Sequence, residues 1–284
     1  MAIVDLSWRG FSGYLSIFIS GTLYLCFIYK ISYGLSVLDI EKPFSETVTI
    51  ESFKALASGI YCARFILPET SNFTFNAGQY LLLVLQDEDK RPFSIASAQQ
   101  DLPYLELHIR EISGNEFTEA VIEKLKNSKT IGIEGPFGKT VLTHPIEREI
   151  TIIVGGTGFA PAKAMIENLI SEKSDAQVNL FWGARCCDEI YALEMAKQWH
   201  QDDIPVNFTP VIFEPDTSWQ GDTGFVHKVA MNNLGTAIQQ HDIYIAGSVE
   251  MVLAVYRDLL AEGISKDQIH SDILNLLREQ GELE

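Results

Sequence analysis

Ile150-Thr151-Ile152-Ile153-Val154-Gly155-Gly156-Thr157-Gly158-Phe159-Ala160-Pro161 is the stretch on which the fold turns. Its first half is apolar without strict alternation, the pattern of a strand covered on both faces in a parallel sheet. Its glycines permit a tight turn and a close approach of backbone to a ligand. Pro161 suits the first turn of a helix, expected from Ala162 to about Ser171. A strand, a glycine-rich turn and a helix N-terminus in succession form a seat for a pyrophosphate. The spacing is not G-x-G-x-x-G, so the common dinucleotide fingerprint does not apply.

Downstream, strands and helices keep alternating: Val178–Trp182 and then Glu189–Gln198, Val206–Val211, Ile243–Ala246 and then Glu250–Ala261. Such alternation predicts a parallel sheet with helices on its faces. Upstream the texture is different. Short β-type runs at Thr47–Phe53, Ile60–Leu67, Tyr80–Leu85, Phe93–Ala96, Tyr104–Ile109 and Thr130–Glu134, with one helix at Glu116–Lys126, predict a small antiparallel barrel. Gln86-Asp87-Glu88-Asp89-Lys90 reads as a hairpin tip. The expected fold class is therefore two-domain, an antiparallel β-barrel followed by an α/β parallel-sheet domain. The expected boundaries are 1–43 for an apolar N-terminal segment, 44–145 for the barrel, 146–272 for the α/β domain and 273–284 for a tail.

Composition narrows the partners. The formal net charge is -17, and an acidic surface without a Lys/Arg cluster argues against nucleic acid. Cys26, Cys62, Cys186 and Cys187 contain no C-x-x-C, and the six histidines form no zinc motif, so neither a metal site nor a metal cluster is expected. Residues 10–29 carry no charge, a length close to the roughly 20 residues of a membrane-spanning helix. They read as a tether to the cytoplasmic face of a membrane, as a helix packed on the body, or as a stretch outside the functional unit. The expected location is the cytoplasm.

A second cluster carries chemistry: Arg91-Pro92-Phe93-Ser94-Ile95-Ala96-Ser97. Arginine offers a fixed cation for phosphate, phenylalanine a flat face for a ring system, and serine a small hydroxyl donor. Together with Phe75-Asn76-Ala77-Gly78-Gln79-Tyr80, His108-Ile109-Arg110 and Gly135-Pro136-Phe137-Gly138, in that order and at fitting intervals, it resembles the flavin domain of the ferredoxin–NADP reductase superfamily. Gly155-Gly156-Thr157-Gly158-Phe159-Ala160-Pro161 resembles that superfamily's nicotinamide domain. Where most members read Cys-Gly-Pro, this chain has Ala246-Gly247-Ser248, without the cysteine and the proline. That departure, with Trp182-Gly183 and Trp219-Gln220-Gly221-Asp222-Thr223-Gly224, resembles the NAD(P)H:flavin oxidoreductase branch. The resemblance covers roughly Thr47 to His270.

The resemblance implies that Pro92, Phe93 and Ser94 lie beside a flavin, which is FAD, FMN or riboflavin. Ser94 would stand near N5, the hydride-accepting atom, and Arg91 would reach the phosphate or ribityl chain. His108, Ile109 and Arg110 would line the ring and chain, and Gly114, Asn115 and Thr118 would open a helix whose N–H groups hold phosphate. NADH or NADPH would lie over Gly155, Gly156, Thr157 and Gly158, its nicotinamide reaching Ala246 and Gly247. Arg185 is the candidate for a 2′-phosphate. The implied activity is transfer of hydride from NAD(P)H to flavin. Three endings stay open: a diffusible flavin substrate, a bound flavin serving a partner oxygenase, hydroxylase or membrane acceptor, or an inactive nucleotide-binding module. The tail lacks the aromatic residue that many members stack on the flavin.

Overall fold

The structure is a computed structural model and describes residues 44–86, 89–142, 144–201 and 205–283. The apolar N-terminal segment, with its expected tether at residues 10–29, and the centre of the 86–90 hairpin tip lie outside the described residues. Among the described residues no helix is long and apolar enough to cross a membrane.

Six strands build the first half: β1 (Phe44–Ala57), β2 (Ile60–Ile66), β3 (Tyr80–Gln86), β4 (Asp89–Ser94), β5 (Tyr104–Arg110) and β6 (Thr130–Phe137). They pair antiparallel in the order β4-β3-β6-β1-β2-β5. The sheet closes on itself where Ile95 bridges Leu107 and the Ala96 N–H donates to the Glu106 carbonyl at 2.7 Å. Alternation along the strands turns Phe65, Leu81, Leu83, Leu105, Leu107, Ile109 and Ile133 into a common core. Helix α1 (Glu116–Asn127) caps it with Val121, Ile122 and Leu125. The fourth strand begins at Asp89, earlier than the expected Phe93, and includes Pro92. Within the sheet order β4 has only β3 beside it, and an edge strand tolerates a residue that cannot donate to the ladder.

The second half is a parallel sheet: β7 (Ile150–Gly155), β8 (Val178–Ala184), β9 (Val206–Ile212), β10 (Asp222–Thr223), β11 (Asp242–Ala246) and β12 (Ile269–His270). Its order is β10-β9-β8-β7-β11-β12, so the chain winds outward in both directions from β7. Helices α2 (Phe159–Ser171) and α3 (Leu193–Gln201) belong to one face, whose core takes Ile150, Ile152 and Val154 from β7. Helices α4 (Val226–Leu234) and α5 (Val249–Ala261) belong to the other, whose core takes Ile153 and, from β11, Ile243 and Ile245. Burial on both faces explains why β7 shows no alternation.

Two elements differ from expectation. The helix expected from Glu189 starts only at Leu193, because Cys187–Glu189 forms a separate 3-10 turn and the Glu189 carboxylate accepts from the Arg185 N–H. Helix α4 was not anticipated. The tail opens in α6 (Asp272–Glu279), whose Leu274 is fully buried in the same cluster as α5.

Candidate active site

Because strand order reverses at β7, the loops after β7 and β11 flank the crevice where open α/β sheets bind ligands. The β7 loop is shaped for close approach. Gly156 takes φ +53°, a left-handed conformation, and its carbonyl accepts from Trp182 Nε1 at 3.0 Å. Phe159 stacks on Trp182 with ring centroids 3.8 Å apart and 5° between planes, which fixes the first residue of α2. A Cβ on Gly158 would run into the backbone of Ala246 and Gly247. The two loops are therefore drawn together through a contact only glycine allows. No side chain among the described residues caps α2, a helix start of the kind that attracts an anion, although its first N–H, that of Phe159, already donates to the Gly156 carbonyl. Arg185 is exposed at the end of β8, on the same edge of the sheet.

On the barrel, the flavin motif occupies β4. Ser94 lies opposite Tyr80 of β3, and its half-buried hydroxyl has no hydrogen-bond partner among the described residues. Phe93 packs partly against the barrel core. Arg91 pairs with Asp89, Nε to Oδ1 at 2.6 Å, and its guanidinium lies 4.1 Å from the centre of the Phe117 ring. A phosphate at Arg91 would compete with that carboxylate. Thr118 is spent inside the chain. Its N–H donates to Asn115 Oδ1 at 3.2 Å, its hydroxyl accepts from the Ile112 N–H at 3.1 Å, and the Gly114 N–H goes to Glu119. That helix end holds its own cap where the sequence suggested a phosphate seat.

The expected His108-Ile109-Arg110 triplet divides by alternation. Ile109 points into the barrel core, so its offer to a ligand is backbone. Glu106, His108 and Arg110 share the outer face of β5 and meet the parallel-sheet half. Arg110 pairs with Glu189, and a Cβ on Gly156 would come within 3.1 Å of its guanidinium. His108 is buried. Its Nδ1 lies 2.8 Å from the Tyr191 hydroxyl and its Nε2 lies 3.0 Å from Glu106 Oε1. Burial keeps the imidazole below its usual pKa, and burial also keeps the Tyr191 hydroxyl protonated. One tautomer satisfies both partners: Tyr191 O–H donates to Nδ1 and Nε2–H donates to Glu106.

Burial alone would raise Glu106, but the His108 hydrogen bond and the Lys163 charge 3.4 Å away outweigh it and hold the carboxyl at about 2. Cys62 completes this cluster, its thiol pushed up to about 12 mainly by burial. The ligand atoms of Cys62, Glu106 and His108 lie within 4.8 Å of one another, a spacing a metal ion can use. The Lys163 ammonium already supplies the positive charge beside Glu106. Periodicity gave no sign of Glu106, Lys163, Tyr191 and Glu189; the Glu-x-His-x-Arg alternation on β5 was the available signal.

Comparison with known proteins gives the family of the two halves. Residues 47–142 match the oxidoreductase FAD-binding domain, and residues 152–257 match the oxidoreductase NAD-binding domain. The NAD(P)H-flavin reductase of Vibrio harveyi is 33% identical over 71% of this chain and 86% of its own length. The chain belongs to the ferredoxin–NADP reductase superfamily, near its flavin reductase branch. Within that superfamily it is also 30% identical to the CDP-6-deoxy-L-threo-D-glycero-4-hexulose-3-dehydrase reductase of Yersinia pestis, over 78% of this chain and 67% of that one. The ferredoxin reductase in carbazole 1,9a-dioxygenase superposes with a TM-score of 0.71 at 26% identity, covering 81% of this chain and 69% of its own. A flavin and NAD(P)H are the cofactors this pair of domains serves.

Proposed function

We propose that this chain is an NAD(P)H-dependent flavin reductase, with residues 44–145 holding the flavin and residues 146–272 the nicotinamide nucleotide. The observation that carries the reading is the meeting of the two motifs. Arg110, two residues beyond His108 on β5, stands against Gly156 of the nucleotide loop. When both are bound, the nicotinamide supplies a hydride and the flavin accepts it. The chain's part is to bind, orient and exclude water.

Each group has a role in that arrangement. The α2 N-terminus and Gly155–Gly158 seat the diphosphate. Ala246 and Gly247 form the opposite wall, pressed close by Gly158. Phe93 and Pro92 present an apolar face, and the unpartnered Ser94 hydroxyl donates to a ring nitrogen. Arg91 exchanges Asp89 for a phosphate or ribityl oxygen. Arg185, exposed at the end of β8, is the candidate for a 2′-phosphate, and the coenzyme is NADH or NADPH.

A second ending is supported by a specific relative. The Yersinia pestis protein is named as the reductase of a dehydrase, which fits a bound flavin that serves a separate protein, an oxygenase or a membrane acceptor included. A cytoplasmic location goes with this reading, since NADH and NADPH are available there. The deciding assay is NADH and NADPH oxidation by the full chain, with and without added FMN, riboflavin or FAD. Turnover that depends on added flavin and saturates with it identifies a diffusible-flavin reductase. A yellow protein that reduces an artificial acceptor unaided identifies a reductase component. A folded, flavin-supplied protein that oxidises neither coenzyme overturns both.

A further inference from the structure

Three side chains leave the outer face of β5 at alternate positions, and each ends on the parallel-sheet half: Glu106 on Lys163, His108 on Tyr191, Arg110 on Glu189. Lys163 does more than meet Glu106. Its ammonium donates to the Ala96 carbonyl at 3.0 Å, two residues beyond Ser94, and to Glu167 at 2.7 Å, one turn further along α2. The Ala96 N–H in turn donates to the Glu106 carbonyl. One buried ammonium therefore joins the strand that carries the flavin motif to the helix whose first turn forms the nucleotide loop. Buried lysines are rare, and this one donates to a carbonyl and a carboxylate with a second carboxylate 3.4 Å away.

We propose that Lys163 is a positioning residue that sets the distance and angle between the flavin on the barrel and the nicotinamide over Gly155–Gly158. The proposal rests on the flavin-reductase reading and adds a residue to it. Each half of the molecule holds one reactant, so their relative placement passes through the contacts between the halves. Hydride transfer requires reacting atoms roughly 3–3.5 Å apart, and a displacement of about 1 Å costs on the order of 10²-fold in rate. Arg110 and His108 bind across the same boundary, but Lys163 alone among these three pairs also grips the backbone just beyond Ser94.

The test uses the full chain carrying Lys163→Met, Lys163→Arg and Lys163→Gln, each checked for folding by circular dichroism. Three quantities are read: the Kd for FMN and for the coenzyme separately, the long-wavelength charge-transfer absorbance of the stacked nicotinamide–flavin pair, and the single-turnover rate of FMN reduction. Lys163→Met is expected to keep both Kd values, lose the charge-transfer band and slow reduction roughly 10²-fold. Lys163→Arg should restore part of both the band and the rate. A folded Lys163→Met with band and rate unchanged overturns the proposal, as does weakened Kd with an unchanged rate at saturation. If Lys163→Met fails to fold, Lys163→Gln decides by the same criteria, because its shorter neutral amide removes the ammonium and leaves Glu106 and Glu167 in place. A wild-type chain that reduces no flavin sinks the functional reading, and hydrogen exchange then judges the seam. Protection near Ala96 and near Gly156 should fall together in whichever variant folds, and unchanged protection at both overturns it.

Discussion

Replacing Gly158 with alanine tests whether the nucleotide site is built by the close approach of two loops. Gly158 has φ −58° and ψ −12°, ordinary helical values, so alanine brings no backbone strain and the whole effect is steric. Its Cβ would strike the Ala246 carbonyl oxygen, and it would lie 2.6 Å from the Ala246 carbonyl carbon and 2.9 Å from the Gly247 nitrogen. Ordinary contact begins at 3.4 Å, so the carbon alone requires the loops after β7 and β11 to part by about 0.8 Å, the difference between 3.4 and 2.6, and the oxygen requires more. Both obstacles are backbone at the ends of central strands, so the strain has no flexible side chain to absorb it. Overpacking of this kind costs about 1–3 kcal/mol, which corresponds to a Tm lower by roughly 2–12 °C. The parted loops also misplace the diphosphate, so the coenzyme KM should rise and flavin reduction should slow by up to about 10²-fold. Gly247→Ala is the internal control. Its nearest obstacle is the Met251 sulfur at 2.7 Å, the mobile part of a long side chain, and its effect should be distinctly smaller. Thermal unfolding and steady-state kinetics on the two variants decide the matter. A Gly158→Ala protein with wild-type Tm and KM, or a Gly247→Ala protein damaged as badly, refutes the reasoning.

Ser94→Ala should slow flavin reduction roughly 5-fold at saturating coenzyme, the value of one hydrogen bond of about 1 kcal/mol, and leave the coenzyme KM in place. A changed KM with an unchanged rate would move Ser94 out of the flavin site. Burial lowers the pKa of His108, His227, His241 and His270 from 6.5. The unfolded chain takes up those protons as pH falls through 6.5 and the folded chain does not, so the stability they provide is complete above 6.5 and lost below it. Tm should therefore fall between about pH 7.5 and about pH 5.5, and a Tm that rises on acidification contradicts this account. Glu167, raised by burial, opposes them at the acid end of that range. Leu274→Ala should cost about 2–5 kcal/mol if α6 is part of the parallel-sheet core, measured by denaturant unfolding. A loss within a few tenths of a kcal/mol would make the tail an appendage.

What could be read from the sequence was what local spacing encodes. Ile150–Val154 announced a doubly covered strand because both faces of β7 are buried, whereas the glycines were expected to approach a ligand and Gly158 instead lies against the backbone of Ala246 and Gly247. Ser94 and Arg91 were legible as types suited to a flavin, and the structure leaves the Ser94 hydroxyl without a partner while giving Arg91 to Asp89. Thr118 misled because a helix N-terminus looks alike whether its N–H groups are free or capped, and Asn115, whose side chain caps this one, was grouped with it as opening a phosphate seat.

The harder part was the seam, since Glu106 and Lys163 are 57 positions apart and pair only once the barrel has closed and docked. Yet its imprint was in plain sight. Leu105-Glu106-Leu107-His108-Ile109-Arg110 alternates strictly, and with Leu105, Leu107 and Ile109 inside the barrel the polar set must face outward. An outward face on a free barrel would need only solvated residues. A buried histidine satisfied on both nitrogens and a carboxylate 3.4 Å from a buried ammonium show instead that this face is covered. Two elements cover it, the helix that begins at the nucleotide loop, through Lys163, and the segment after β8, through Glu189 and Tyr191, so the proposed setting of one cofactor against the other would lie in the partners of β5 rather than in either binding motif.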